Sequence, residues 1–497
     1  MAPRQPSRLR NLILYVATNA LCVLLPMATM PIFTRKITPT QYGILAMLGV
    51  VATLGIGLSN WGMLTAFNRY FFAYGREPEK QKRLLGTVLT FSLVCLAVIY
   101  VPVIVYRDWL SQYQTGSVQW SGLLLIVFAS LGLNHVNGIL FQYFKDAERA
   151  GASSIFELTR LVLNTGCSLL LVAGFNMGIT GLALGGLTSQ FIVMLAMVSR
   201  FRLADLRPDM RILGTCLAFG WPLMAKVAVN LLNICIDRQM IGKLKSMTDV
   251  GLYDRAQAIS ILVFVFMTTV QNVYGPRWNK RIFQLPDADE RSLASLFTEY
   301  VCLIVVPAAA LVAFCQEAVH ILMPPTYRNA VPLIIILAVY YSMLAFGKLS
   351  GPVANYLKMT KFVAMTMVGS YFANIGLNFL FIPKYGPFGA VVATCIGGLG
   401  STLLVGWVMQ RRYHIAFQWR PLCLLYGGLI LFSLMSGLTF YEKLPYWPSL
   451  VLRSLLFAGY MVMWIRIVGW GMIRGIILRG MTGVGLRPPD TLRNGES

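Results

Sequence analysis

The chain has 497 residues, 57% hydrophobic and only 12% charged, with mean hydropathy +0.66 and net charge +23. Soluble domains carry about 25% charged residues, so this composition excludes a soluble globular protein. In an apolar chain the basic excess marks positive inside loops and contact with anionic membrane lipids, and no nucleic-acid partner is expected.

Taken in order, fourteen apolar stretches are each about long enough for a helix to cross roughly 30 Å of hydrocarbon. They fall near 11–33, 43–66, 85–106, 120–142, 153–175, 178–199, 213–236, 254–275, 297–319, 331–350, 362–383, 387–409, 421–441 and 447–468. The expected fold is therefore an all-α polytopic membrane protein. The gaps are too short for a soluble domain. Arg4, Arg8 and Arg10 precede the first stretch, which is too long for a signal-peptide core, so it is read as a retained helix. The nine cysteines lie in or beside apolar stretches without CxxC or Cys/His ligand spacing, and no metal is expected. No GxxxxGK[ST] motif occurs, so no P-loop and no cofactor is expected. Asp287 and Asp289, a possible sugar-nucleotide metal pair, sit in a short loop without a glycosyltransferase domain around them. The chain is read as a transporter and not an enzyme.

Of the 42 Lys and Arg, 28 fall in alternate loops and termini that include the N-terminus, 10 fall in the opposite loops, and Arg160, Lys226, Lys348 and Arg453 lie within helices. The positive-inside rule then places both termini in the cytoplasm, with an even number of spans.

The chain also repeats itself. TRKITPTQYGIL after the first helix is echoed by GKLKSMTDVGLY after the seventh, pairing Arg35 with Lys243, Thr40 with Thr248 and Gly43 with Gly251. Asn164 and Gly166 match Asn374 and Gly376. After a two-residue gap, Gly178 and Gly181 match Gly386 and Gly389. The expectation is two homologous six-helix lobes of like orientation, residues 1–200 and 201–410, followed by two helices over 411–470 and a cytoplasmic tail at 471–497. Parallel repeats of this kind bind substrate between halves and rock.

Polar residues inside the spans are the candidate chemistry, because a charge at the bilayer centre costs about 2.5–3.5 kcal/mol on insertion scales. Lys226, Asn230, Asn233 and Asp237 share one face of the seventh helix. Lys226 lies near mid-helix. It either faces a watery lumen and meets substrate, the preferred reading, or is satisfied internally. Glu157 and Arg160 on the fifth helix either pair with each other or meet substrate. Asn134 on the fourth helix and Lys348 on the tenth complete the candidate set. Lys348 and Arg453 sit near expected helix ends, where snorkelling to the interface is the simpler reading. Ser370, Asn374 and Asn378 on the eleventh helix suit sugar hydroxyls or interhelical hydrogen bonds equally.

The segments PIFTRKITPTQYGIL, GKLKSMTDVGLYDRA and NIGLNFLFIPKYGPFGAVVAT, with the helix count and twofold repetition, resemble the polysaccharide-type lipid-linked oligosaccharide flippases. These belong to the multidrug, oligosaccharidyl-lipid and polysaccharide exporter superfamily. The resemblance implies movement of an undecaprenyl-diphosphate-linked oligosaccharide, such as an O-antigen, capsule or exopolysaccharide repeat unit, across a bacterial cytoplasmic (inner) membrane. It implies alternating access driven by an ion gradient, with cationic lumen residues meeting the diphosphate. A polysaccharide polymerase and glycosyltransferases are candidate protein partners. The alternatives are a drug or metabolite cation antiporter, a peptidoglycan lipid-precursor flippase, and, more remotely, a membrane glycosyltransferase or polymerase. The first helix contains no Asp or Glu, against the cation antiporter, and the loops are short for an enzyme.

Overall fold

The structure is a computed structural model and describes residues 8–75, 77–147, 150–201, 206–284, 290–441 and 445–483. Within its helices some side chains are left undescribed, among them Lys226, Asn230 and Asn233. Asp287 and Asp289 lie outside the described residues.

Every regular element among the described residues is helical. In chain order these are α1 (Arg8–Lys36), α2 (Pro39–Asn60), α3 (Met63–Ala73), α4 (Pro78–Val105), α5 (Arg107–Thr115), α6 (Ser121–Asp146), α7 (Ala150–Leu169), α8 (Gly178–Val198) and α9 (Met210–Leu244). There follow α10 (Met247–Gln284), α11 (Glu290–Leu322), α12 (Val331–Met343), α13 (Ala345–Tyr356), α14 (Thr360–Tyr385), α15 (Pro387–Arg412), α16 (Trp419–Tyr441) and α17 (Tyr446–Gly483). Twelve spans among the described residues are long and apolar enough to cross a membrane. They coincide with twelve of the fourteen expected stretches. The other two expected stretches are α1 and α9, helices of 29 and 35 residues.

Three details depart from the even pattern expected. The second span runs Pro39–Ala73 and breaks at Trp61 and Gly62, both with positive φ, where α2 gives way to α3. Gly220 of α9 packs into that break, and a Cβ on Gly62 would lie 2.4 Å from the Gly220 carbonyl. The loop after α4 folds as α5, a short helix carrying Trp109 and Tyr113 stacked at 5.5 Å. The last span ends at Gly469, whose φ of 67° interrupts α17.

The two repeated motifs are helix starts. Thr38 caps α2: its hydroxyl accepts from the Gln41 amide at 3.3 Å, and the Thr38 amide donates to Gln41 Oε1 at 3.0 Å. Pro39 occupies the first turn, where its missing N–H costs nothing. Ser246 does the same for α10, accepting from the Asp249 amide at 3.1 Å. The second echo is a pair of helical hairpins, α7–α8 and α14–α15, each turning through a glycine of positive φ, Gly178 and Gly386. The first copy has two extra residues before its turn. They fall where the structure has a π-helical segment, Leu170–Gly174, and Asn176 at φ 54°. A π turn is the usual way a helix absorbs an insertion.

The described chain divides into two compact units. Unit 1 holds 1–254 and 322–326, so α9 packs with α2, α3 and α4. Unit 2 holds 255–321 and 327–497. Within unit 2, α11 is the central helix, with 72% of its apolar stretch buried, against 17% for α17. Hydrocarbon offers little hydrophobic drive for helix association, so close packing and hydrogen bonds must hold these bundles.

Candidate functional site

Arg160 lies beside a network of amide side chains in unit 1. Asn137 of α6 donates to Gln190 of α8, at 2.8 Å to Oε1 and 2.9 Å to the carbonyl. Gln190 Nε2 donates to Asn134 Oδ1 at 3.1 Å, and Arg160 Nη1 of α7 reaches the same oxygen at 3.5 Å. The guanidinium carbon lies 6.0 Å from the Phe141 ring. Arg160 Nε is buried without an acceptor. The internal ion pair with Glu157 is not formed: Glu157 is half-buried one turn earlier on α7, and Arg160 turns to the amides instead. Three helices thus hold a guanidinium that pairs with no carboxylate among the described residues.

The α9 stripe keeps its geometry, since α9 is helical throughout and positions 226, 230, 233 and 237 share one face. Of the four, the structure describes the side chain of Asp237. It is buried and accepts the Tyr253 hydroxyl at 2.7 Å. Next to it, Arg238 pairs with Asp254 at 2.9 Å. Gln239 donates to Gln114 at 3.0 Å, and Lys243 donates to the Tyr113 carbonyl while lying over that ring. The far end of α9 is therefore tied to α5 and the start of α10.

The start of α10 brings repeat-equivalent residues into contact. Thr40 and Thr248 hydroxyls lie 2.8 Å apart. A Cβ on Gly43 would fall 1.8 Å from the Met247 carbonyl, and one on Gly251 would fall 1.8 Å from the Pro39 carbonyl. Only paired glycines allow α2 and α10 to cross this closely.

In unit 2 the expected candidates separate by environment. Lys348 is half-buried, lies 5.1 Å from the Phe264 ring centroid, and pairs with no acid among the described residues. Its span continues to Tyr356, eight residues further, so about 12 Å of helix separates it from that end. Arg453 does not snorkel. It is 0% exposed, grips Glu317 of α11 through two bonds of 2.7 and 2.6 Å, and donates to the Ala313 carbonyl at 2.7 Å. The acid that draws it inward sits alone in an apolar run, a signal that matching buried charges of opposite sign would have found. The α14 stripe joins α14 to α15: Ser370 donates to the Gly397 carbonyl at 2.7 Å, Asn374 to Thr394 at 3.3 Å, and Asn378 to Asn374 at 3.1 Å. Gln190 and Tyr253, both central to these networks, were missed because their partners are distant in sequence.

A family model described as polysaccharide biosynthesis protein matches residues 32–332, more than half of the chain. The chain belongs to the polysaccharide biosynthesis protein family. The match takes in both helix-start motifs, Arg160 and all of α9. Within the curated proteins, the probable low-salt glycan biosynthesis flippase Agl15 of Haloferax volcanii is 21% identical over 396 residues, covering 78% of this chain and 80% of that one. Among solved structures, the lipid II flippase MurJ in an inward closed conformation superposes with TM-score 0.65 at 13% identity, covering 92% of this chain and 98% of MurJ. An inward-facing multidrug MATE transporter of the MOP superfamily gives TM-score 0.57 at 13% identity, covering 81% and 98%. The family expected from the motifs is borne out, and the chain shares its fold with these two transporters.

Proposed function

We propose that this chain moves a lipid-linked, diphosphate-bearing oligosaccharide across the bacterial cytoplasmic membrane by alternating access. The observation that carries the reading is Arg160. A half-buried guanidinium has five donors, and here one long contact to an amide oxygen is its hydrogen bond, with Nε unsatisfied. An uncompensated intramembrane cation is costly unless an anion visits it. A diphosphate is such an anion, and the Asn134, Asn137 and Gln190 amides beside it suit sugar hydroxyls. Lys348 has the same character, and we assign Lys226, Asn230 and Asn233 of α9 to the passage, whereas Asp237 is closed off against Tyr253. The repeats 1–200 and 201–410 serve as the rocking lobes.

The family assignment supports a glycan over a drug cation, and so does the sign of these charges, which would repel a cation. The reading is of a transporter, not an enzyme. Moving one charge down a 100 mV potential releases about 2.3 kcal/mol, so exchange against one or two protons or sodium ions is a sufficient drive. The test is surface glycan in cells depending on this protein. Arg160→Gln should cut export at least tenfold at unchanged membrane abundance, and Arg160→Lys should restore part of it. Normal export by Arg160→Gln would overturn the assignment.

A further inference from the structure

Two apolar cavities of about 480 and 570 Å³ lie end to end in unit 2, between α12–α13, α15 and α16, with Met343 lining both. Along α15 one is lined from Phe388 to Leu399 and the other from Thr402 to Gln410. At 1.5 Å per residue the second runs about 12 Å, close to half of a hydrocarbon core about 30 Å thick. Leu403 on its wall is 60% exposed, so the slot opens sideways to lipid.

The Gln410 end of this slot is ringed by cations. Arg411 and Arg412 close α15, and Arg420 lies in the first turn of α16. All three are exposed and none joins an ion pair among the described residues. Arg411 lies 3.9 Å from the ring centroid of Trp407, itself on the cavity wall. The connection between the helices is braced: Gln410 Nε2 donates to the Ile415 carbonyl at 2.6 Å, and the Ile415 amide donates back to Gln410 Oε1 at 3.3 Å. The apolar slot therefore ends beside three exposed guanidinium groups, of which Arg411 is held on Trp407.

We propose that this slot binds one anionic phospholipid of the adjoining leaflet, with an acyl chain between α13, α15 and α16 and the phosphate among Arg411, Arg412 and Arg420. Charge selects the anionic head group, and the roughly 12 Å run of the second cavity matches an acyl chain in one leaflet. The lipid wedges α16 against α12–α13 and stabilises unit 2. The site is independent of the glycan reading, because none of its residues is assigned to the passage.

The test uses the full chain purified in neutral detergent. Its thermal melting is followed while dioleoyl phosphatidylglycerol, dioleoyl phosphatidylcholine or undecaprenyl diphosphate is added in mixed micelles. Phosphatidylglycerol should raise Tm, and phosphatidylcholine should do so far less. With three interfacial arginines at stake, Arg411→Gln/Arg412→Gln/Arg420→Gln should bind phosphatidylglycerol about a hundredfold more weakly. Leu403→Trp, which fills the slot and leaves the arginines in place, should abolish the shift while keeping the lipid-free Tm of the parent. Equal shifts with both phospholipids, or an undiminished shift in either variant, would overturn the proposal. So would undecaprenyl diphosphate displacing phosphatidylglycerol more strongly than phosphatidylglycerol itself, which would give the slot to the carrier lipid.

Discussion

Arg160 and Arg453 are the same side chain in two different electrostatic settings. Arg453 is closed off: a bidentate carboxylate, a carbonyl and the Ser449 hydroxyl at 3.3 Å take four of its five donors. Breaking such a buried pair leaves an uncompensated charge and costs about 3–5 kcal/mol, whereas replacing both partners by apolar groups is often neutral. Arg453→Ala should therefore lower the melting temperature of the purified protein markedly, and Arg453→Leu with Glu317→Leu should recover most of the loss; a double variant no better than the single one would show that the pair is more than electrostatic. Arg160 should behave in the opposite way, with glycan export falling and stability nearly unchanged. Lys226→Ala is expected to follow Arg160, leaving folding intact and abolishing export. Retained export in Lys226→Ala removes that lysine from the passage.

Helix starts explain why the repeated motif is what it is. Thr38 and Ser246 cap, Thr40 and Thr248 meet, and Gly43 and Gly251 let the two helices touch. Each of these jobs needs its own residue type, so all three recur at one offset. A leucine at Gly43 cannot fit against a carbonyl that would lie 1.8 Å from its Cβ. Gly43→Leu should thus hold the starts of α2 and α10 apart. The readout is disulfide formation in a Thr40→Cys/Thr248→Cys protein, which should be efficient in the parent and fall severalfold on adding Gly43→Leu. Locking that disulfide should also stop export if the contact opens in each cycle. Export that continues with the bond closed would rule out opening there. The hairpin glycines Gly181 and Gly389 obey the same logic: a Cβ on either would sit within 3.0 Å of a neighbour, Met177 Cβ or the Phe381 carbonyl.

At the size of the entire chain, descent and compactness divide the protein differently. The repeats suggest a seam near residue 200, while the compact units part at 254–255 because α9 packs along α2, α3 and α4. The orientation of the bundle rests on the charge bias of the loops. A periplasm-active reporter fused after Ser497 should stay silent and a cytoplasm-active one should signal; the reverse result would overturn the cytoplasmic placement of that end. The hydropathy pattern, the loop charges and the 208-residue echo were all readable from the chain itself. Each is set locally, by the thickness of hydrocarbon a helix must cross or by residues that cap their own helix. The fate of each polar group was not readable. Asn374 and Asn378 became a seam between α14 and α15, Asn134 became part of the surroundings of Arg160, and Arg453 turned inward to an acid 136 residues away. What decides these outcomes is which helix lies opposite, and only the folded bundle supplies that neighbour.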